Sequence, residues 1–542
     1  MQCGFGDTTT PGATTGGTAT NPTSNTGGSP AQAGANSTAG TTPGGGQVGA
    51  AGSVPGGGTN PGGGTNPGGG ADPGGGATTT GFKNYEYTGT WPTQPIAVAT
   101  KAGGQLKYTK VVINTKFYAE SCSIADYDDD GLPDVSAGRR WYKQVAGNPP
   151  TFVEHIFRGG HDELPSAGVG TPGDPPATDE INTGVSDDWS DFPYDMDGDK
   201  LPDIINIANC DVPINLNPNP KPSPQPPATA FWYKNPGAAT AATNMNWESH
   251  QIHGDVRLEQ HGLVDVDGDG KPEIYGACKG CQPAETKGYY AANWAAPASA
   301  WTYHPVTKRY TFPFGGTGWM HGQGFGDINK DGKSDLLERG GAWISSTSAT
   351  PNETVCNAGN LATCGWVQTN FWDSSHSQDQ EGPSHMYAAD VDMDNDMDVI
   401  AADFAHGNGL SWYEQTSAMP LTFVRHQFMG GPNEVAKYGL YFSEPHALQV
   451  MDMDGDGRPD IITGKMRFAH PIGYQDADPN GMPVIYVFKN NGGADKDKIF
   501  TPVLVDNVFG VGRQLAVGHV NTDGIPDICV STKVGLAVFL GQ

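Results

Sequence analysis

Seven stretches of this sequence place oxygen-bearing side chains at alternate positions of one nine-residue frame. The first three read Asp126-Tyr-Asp128-Asp-Asp130-Gly131-Leu-Pro-Asp134, Asp195-Met-Asp197-Gly-Asp199-Lys200-Leu-Pro-Asp203 and Asp265-Val-Asp267-Gly-Asp269-Gly270-Lys-Pro-Glu273. The frame returns as Asp327, Asn329, Asp331, Gly332 and Asp335; as Asp390, Asp392, Asp394, Asn395 and Asp398; and as Asp452, Asp454, Asp456, Gly457 and Asp460. A weaker seventh copy holds His519, Asn521, Asp523, Gly524 and Asp527. Oxygen ligands at positions 1, 3 and 5 converge on an ion of the size and hardness of Ca²⁺, a residue tolerant of left-handed backbone turns the chain at position 6, and a carboxylate at position 9 closes the shell. One frame alone is a weak signal; seven at one spacing are a strong one. The expectation is five to seven bound Ca²⁺, the lower number applying if the frames with Lys200 and His519 stay empty.

A second set of residues suits different chemistry. His261, His321, His385 and His446 stand four, six, five and six residues before the frames that follow them. On a strand, offsets of four and six share a face, whereas His385 at five needs a bulge or a loop to join them. Convergent neutral imidazoles suit Zn²⁺ or a similar transition metal and also shuttle protons. The alternative is that they simply line a wet channel. Arg339, His406, Lys465, Arg467 and His470, together with Glu338, Asp403 and Glu444, fall on the same part of the chain and extend the candidate ligand-binding set. His155, His250, His304 and His426 recur beside apolar residues and read as structural.

The elements that must position these groups follow from spacing. The first residues of successive frames lie 69, 70, 62, 63, 62 and 67 residues apart. Between them run short apolar and aromatic segments, such as Phe231-Trp232-Tyr233 and Leu421 to His426, broken by Gly, Asp and Pro, with no sustained helical periodicity. EF-hands need long flanking helices and calcium β-rolls repeat every nine residues or so; a period near 65 suits four-stranded propeller blades. The fold class is therefore all-β, over residues 82–542. The last unit stops short of a final strand, and Tyr108-Thr-Lys-Val-Val-Ile113 precedes the first frame without a blade of its own. That segment is expected to complete the seventh blade and seal the ring.

These units resemble FG-GAP/VCBS repeats, and the resemblance, over about residues 105 to 542, implies a seven-bladed Ca²⁺-binding β-propeller of the secreted bacterial type. Three strings carry a further likeness: His321-Gly-Gln-Gly-Phe-Gly-Asp327, Ala405-His406-Gly-Asn-Gly-Leu-Ser-Trp412, and Thr463-Gly-Lys465-Met-Arg467-Phe-Ala-His470. They are similar to the propeller domain of fungal aldos-2-ulose dehydratase, a sugar-dehydrating enzyme whose cupin domains have no counterpart here. Carried over, that activity implies a metal on His321, His385 and His446 polarising a keto oxygen while a histidine or Lys465 removes the adjacent proton.

Residues 1–81 are a different kind of sequence. The first 80 hold no Lys, Arg, Trp or Tyr and are rich in Gly, Thr and Pro, so they have almost nothing to bury and read as a disordered tether. Cys3 at its head resembles the lipid-bearing residue of a bacterial lipoprotein, a stray cysteine being the alternative; no signal peptide precedes it. Local disulfides Cys278–Cys281 and Cys356–Cys364 are expected in an exported protein, and Cys122 and Cys529 fall near the ring closure, bonded or as free thiols. The long connections 213–227, 345–360 and 374–383 either roof one face or are surface insertions.

Composition bounds the rest. The 542 residues include 59 acidic and 31 basic side chains, a formal charge of −28, which excludes the clustered positive charge of a nucleic-acid binder. Of the 59 acids, 25 sit at positions 1, 3, 5 and 9 of the frames, so the acidity belongs largely to ligand shells. No apolar run reaches the ~18–20 residues of a transmembrane helix. The expectation is an exported, surface-tethered, monomeric propeller that binds a glycan or another polar ligand at its axial, histidine-lined face. The alternatives are a metal-assisted sugar lyase or dehydratase and a structural surface adhesin.

Overall fold

The computed structural model describes residues 98–101, 104–158, 188–209, 228–278, 286–307, 321–338, 341–345, 366–369, 382–418, 420–467, 477–478, 481–521 and 523–542. The expected tether, Cys3, Cys210, Cys281, Cys356, Cys364, Arg339 and His470 lie outside the described residues, as does most of each long connection.

The described strands form an all-β propeller. Sheet I holds Ser123–Ala125, Asp134–Ala137, Arg140–Val145 and Thr151–Ile156. Sheet II holds Asp188–Tyr194, Asp203–Asn209, Ala228–Lys234 and Glu248–His253. Sheet III holds Arg257–Val264, Glu273–Cys278, Thr286–Ala291 and Thr302–Pro305. Sheet IV holds Gln323–Gly326, Asp335–Glu338, Gly341–Ser345 and Trp366–Thr369. Sheet V holds Met386–Ala389, Asp398–Ala402, Leu410–Ala418 and Leu421–Met429. Sheet VI holds Leu448–Met451, Asp460–Gly464, Ile485–Asn490 and Phe500–Asp506. Sheet VII begins with Leu515–Gly518, Asp527–Thr532 and Gly535–Gly541, then takes Gly104–Asn114 and Val98–Lys101 from the other end of the chain. The only α-helix among the described residues is the single turn Val435–Tyr438.

All pairings within the sheets are antiparallel, and the first strand of each sheet touches the first strand of the next in a closed circuit from I through VII back to I. Core packing follows the same circuit. Seven apolar clusters each bridge two neighbouring sheets: Trp141 with Ile204 and Tyr233 joins I to II, Ile400 and Trp412 with Ile461 and Phe488 joins V to VI, and Val135 and Tyr142 with Val538 joins VII to I. A strand buried on both faces reads as an unbroken apolar run, which is why Ile204-Ile205 and Ile461-Ile462 lie on the second strand of their sheets, clasped between neighbours.

Two links tie the chain's ends. Tyr108 to Asn114 pairs with Gly541 to Leu536. A disulfide joins Cys122, at the entrance to sheet I, to Cys529 on the second strand of sheet VII, with 6.4 Å between the Cα atoms. Cys278 is also disulfide-bonded.

Every nine-residue frame is the connection from the first to the second strand of a sheet. Because these inner strands are parallel around the axis, all seven frames gather at the end where the strands finish. The residues that precede the inner strands gather at the opposite end.

Candidate functional site

The frames are built by their own main chain. In the first six, the position 1 carboxylate accepts the N–H of position 6 at 2.8–3.0 Å, as Asp126 does from Gly131 and Asp390 from Asn395. Position 5 accepts from position 7. Position 6 is left-handed in all seven frames, with φ between 72° and 88°; at Lys200 (76°) and Asn395 (72°) that conformation is held by residues with a Cβ. The position 9 carboxylates are buried and clamp the hairpin: Asp134 accepts from Tyr127 N–H (2.9 Å) and Gln144 N–H (2.7 Å), and Asp460 from Met453 (2.9 Å) and Asn490 (2.8 Å). Each oxygen keeps a second lone pair for an ion. Desolvation pushes these acids up, to about 7 for Asp134, Asp203 and Asp460 and about 8 for Glu273 and Asp398. Asp126, Asp128 and Asp134 converge closely enough to share an ion, as do Asp195, Asp197 and Asp199; Asp265, Asp267 and Asp269; and Asp390, Asp392 and Asp398.

The opposite end of the axis carries a second constellation. Glu259, His321, His406 and His446 each offer one ligand atom, all within 4.8 Å of one another. His406 Nε2 lies 3.1 Å from His321 Nε2, His321 Nε2 3.5 Å from Glu259 Oε2, and His446 Nδ1 3.8 Å from Glu259 Oε2. The three imidazoles are buried and the carboxylate reaches solvent, at 15% side-chain exposure.

Each member is set by a different local device. Glu259 sits in a register shift of sheet III between Arg257 and Gly262, with Leu258 at φ 153°, and the bulge turns the carboxylate toward the axis. His321 is held through its carbonyl, which accepts from Lys287 Nζ at 2.5 Å. His406 belongs to the connection after Asp398–Ala402, where Glu444 N–H donates to the Gly407 carbonyl at 2.8 Å and ties it to the segment leading to His446.

A chain of buried charges surrounds the group. Arg513 donates from Nη1 to Glu259 and from Nε to Glu120 at 2.8 Å, and Lys533 Nζ reaches Glu120 at 2.5 Å. Lys465 Nζ pairs with Glu444 (3.0 Å) and Ser443 Oγ (2.8 Å). Burial pushes Glu259 up, but Arg513, His321 and His446 together hold its carboxyl well below the usual range. Burial and the neighbouring His406 hold His446 well below the usual imidazole range. Burial likewise lowers His261 to about 3 and His385 to about 4, so these rings are neutral. His321 Nδ1 and His446 Nε2 are buried without a hydrogen-bond partner among the described residues.

Of the expected trio, His321 and His446 come together. His385 stays outside the group: its Nδ1 faces the His446 carbonyl at 3.3 Å, because the offset of five points it along the ring instead of into it. His261 also turns aside, to Ser190 Oγ at 3.0 Å. His406, placed among the ligand-binding residues from sequence, is a full member. Lys465 is committed to Glu444, and Arg467 is half-buried outside the group. Sequence reasoning missed Glu259, Arg513 and Glu120. A signal was present: Glu120, Glu259, His321, His446 and Arg513 all stand six residues before a frame. The outer histidines stack on third-strand aromatics, His155 on Trp141 at 4.8 Å, His250 on Trp232 at 4.3 Å, His304 on Tyr289 at 4.9 Å and His426 on Trp412 at 4.7 Å.

Residues 390–463 match the FG-GAP-like repeat family. No curated protein shows significant sequence similarity to the chain. Among solved structures, the chain is similar to BBS1N in complex with ARL6DN, at 10% identity and a TM-score of 0.40, covering 83% of this chain and 97% of that one. It is also similar to rhamnogalacturonan lyase YesW, at 11% identity and a TM-score of 0.34, covering 82% and 74%. No helix among the described residues is long and apolar enough to cross a membrane.

Proposed function

We propose that the chain is an exported, calcium-stabilised, seven-bladed propeller that binds a carbohydrate or similar polar ligand at its axial end, around a transition metal held by Glu259, His321, His406 and His446. The five-stranded sheet is the seventh blade, closed by Gly104–Asn114. One observation carries the reading: the four ligand atoms lie within 4.8 Å of one another, and three of their separations, 3.1, 3.5 and 3.8 Å, fall around the roughly 3.3 Å edge of a tetrahedron about an ion with metal–nitrogen bonds of about 2.0–2.1 Å. Three imidazoles and one carboxylate suit divalent Zn, Mn or Fe. With four places taken by the protein, such an ion would fix the axial face against which a polar ligand packs; with a larger shell it would also attract hydroxyl and carbonyl oxygens.

The Cys122–Cys529 disulfide supports export, since such bonds persist in oxidising compartments. The frames support calcium, seven ions bringing the formal charge of −28 to −14. The four-ligand set bears on the enzymatic alternative: an ion taking four ligands is filled by the protein, whereas one taking six keeps two places for a keto-sugar.

Elemental analysis of the full chain, dialysed against a weak chelator, tests the reading. The expected result is one transition metal per chain, lost in His321→Ala, and oligosaccharide binding by calorimetry that disappears with it. Calcium alone, with His321→Ala unchanged, overturns the metal centre; turnover of a keto-sugar moves the reading to the lyase.

A further inference from the structure

The seven frames differ in one respect that their own nine residues do not reveal. Opposite position 9, across the second and third strands, each sheet places one residue. In sheet I the pair Val135 with Tyr142 sets Lys143 there, in sheet II Ile204 with Tyr233 sets Lys234, and in sheet VI Ile461 with Phe488 sets Lys489. The same register gives Ala291 in sheet III, Ile344 in sheet IV, Glu414 in sheet V and Leu540 in sheet VII.

Directly opposed residues project on one face, so these lysines lean over the frame. Lys143 Nζ pairs with Asp128 and, at 2.6 Å, with Asp130. Lys234 pairs with Asp197 and, at 3.5 Å, with Asp199. Lys489 pairs with Asp454 and, at 3.3 Å, with Asp456. In all three the ammonium bridges positions 3 and 5, two of the carboxylates a calcium ion would draw together. In sheet III no lysine or arginine among the described residues bonds to Asp265, Asp267 or Asp269. In sheet V, Lys496 pairs with Asp392 alone and is shared with Glu414 at 3.8 Å, which adds a carboxylate to that frame.

We infer that Lys143, Lys234 and Lys489 are built-in counter-ions that grade calcium loading, so that the frames of sheets III, IV and V fill first and those of sheets I, II and VI fill only at higher calcium. This rests on the reading of the frames as calcium sites. To enter a frame of the second group, Ca²⁺ must displace an ammonium that already satisfies two of its ligands, and that ammonium must find water. In sheet III no such exchange is needed, in sheet V Lys496 holds only one of the ligand positions, and in sheet IV Ile344 stands where the bridging lysine would be. The seventh frame, with His519 and Asn521 in place of two carboxylates, belongs to neither group.

The test is calorimetric titration of the chelator-stripped full chain with CaCl₂. The expected isotherm has two classes of site at least tenfold apart in affinity. The triple variant Lys143→Met, Lys234→Met, Lys489→Met should tighten the weak class at least tenfold, and Glu414→Lys should move one site from the tight class to the weak one. Circular dichroism at saturating calcium reports whether each variant is folded. A single class of equal sites in the wild-type chain, or two classes that neither substitution moves, overturns the inference while leaving calcium binding intact. No calcium uptake at all overturns the underlying reading and the inference with it.

Discussion

Arg513 reaches from the entrance of sheet VII to Glu259 on sheet III, while the same guanidinium holds Glu120 at 2.8 Å beside sheet I. Three sheets that share no strand pairing are thus joined through one side chain that is 2% exposed. Removing the Glu259 charge leaves half of a buried ion pair, and breaking such a pair typically costs about 3–5 kcal/mol. Glu120 still accepts from Arg513, which places Glu259→Gln at the lower end, about 3 kcal/mol. Chemical denaturation in the presence of chelator checks this, since any contribution from bound metal is then absent. A variant as stable as the parent would show that the cross-axis pair is not part of what holds the ring.

Calcium should matter more as pH rises. Desolvation raises six of the position 9 acids, to about 6 for Asp527, about 7 for Asp134, Asp203 and Asp460 and about 8 for Glu273 and Asp398, against ordinary values near 4. A carboxyl whose folded pKa is raised stabilises the fold below its unfolded pKa, and that stability is lost as pH climbs through the folded value. The ion-free chain should therefore lose melting temperature between about pH 4 and pH 8. Calcium bound in the frames as proposed would offset the loss by neutralising the carboxylates, so the gap in melting temperature between calcium and EDTA should widen across that range. A gap that stays constant from pH 5 to pH 8 would falsify the ligand role of position 9.

The repeat was legible because its chemistry is local and recurs: in the first six frames position 1 accepts from position 6, and seven copies at one spacing make the signal that one copy alone does not. The axial group was only half legible. Offsets from the frame picked out His321 and His446, and the same offset of six contains Glu259, Glu120 and Arg513, hidden because a carboxylate or guanidinium before an acidic loop looks like ordinary surface charge. His406 stands on no inner strand, and only the fold of the 403–409 connection brings it to His321. His385 misled for the converse reason: its offset of five needed a bulge or a loop to bring it to the axis, and without one a single residue of register leaves it on the other face.

The Cys122–Cys529 disulfide should be a main determinant of stability. It spans a sequence separation of 407 residues and locks the entrance of sheet I to sheet VII. Cross-links that close long loops restrict the unfolded chain most, with typical gains of about 2–4 kcal/mol. Cys122→Ser with Cys529→Ser should lower the unfolding free energy by about 2–4 kcal/mol, read as a lower denaturation midpoint at unchanged slope, without changing any calcium uptake. Equal midpoints for the parent and the double variant, both under non-reducing conditions, would remove the bond from the account of ring closure.

The strand Gly104–Asn114 makes a sharper test of closure than the disulfide. It pairs with Gly535–Gly541, and its Leu106 and Tyr108 are fully buried in the cluster that also holds Ile528, Phe539 and Val505. Lys110 forms a buried pair with Asp506 of sheet VI at 2.7 Å, so the segment also ties VII to VI. Without it, Gly535–Gly541 becomes an exposed apolar edge, the kind of surface that recruits other chains. A chain beginning at residue 116 should aggregate or lose cooperative unfolding even with the disulfide intact. Tyr108→Ala, which deletes an aromatic from that cluster, should cost about 3–5 kcal/mol by analogy with other large-to-small core substitutions. Size-exclusion chromatography of the shortened chain and denaturation of the point variant separate edge exposure from core loss. If the shortened chain runs as a monomer and melts like the parent, the ring is held by the disulfide and the charges at the axis instead of by strand exchange between the chain's two ends.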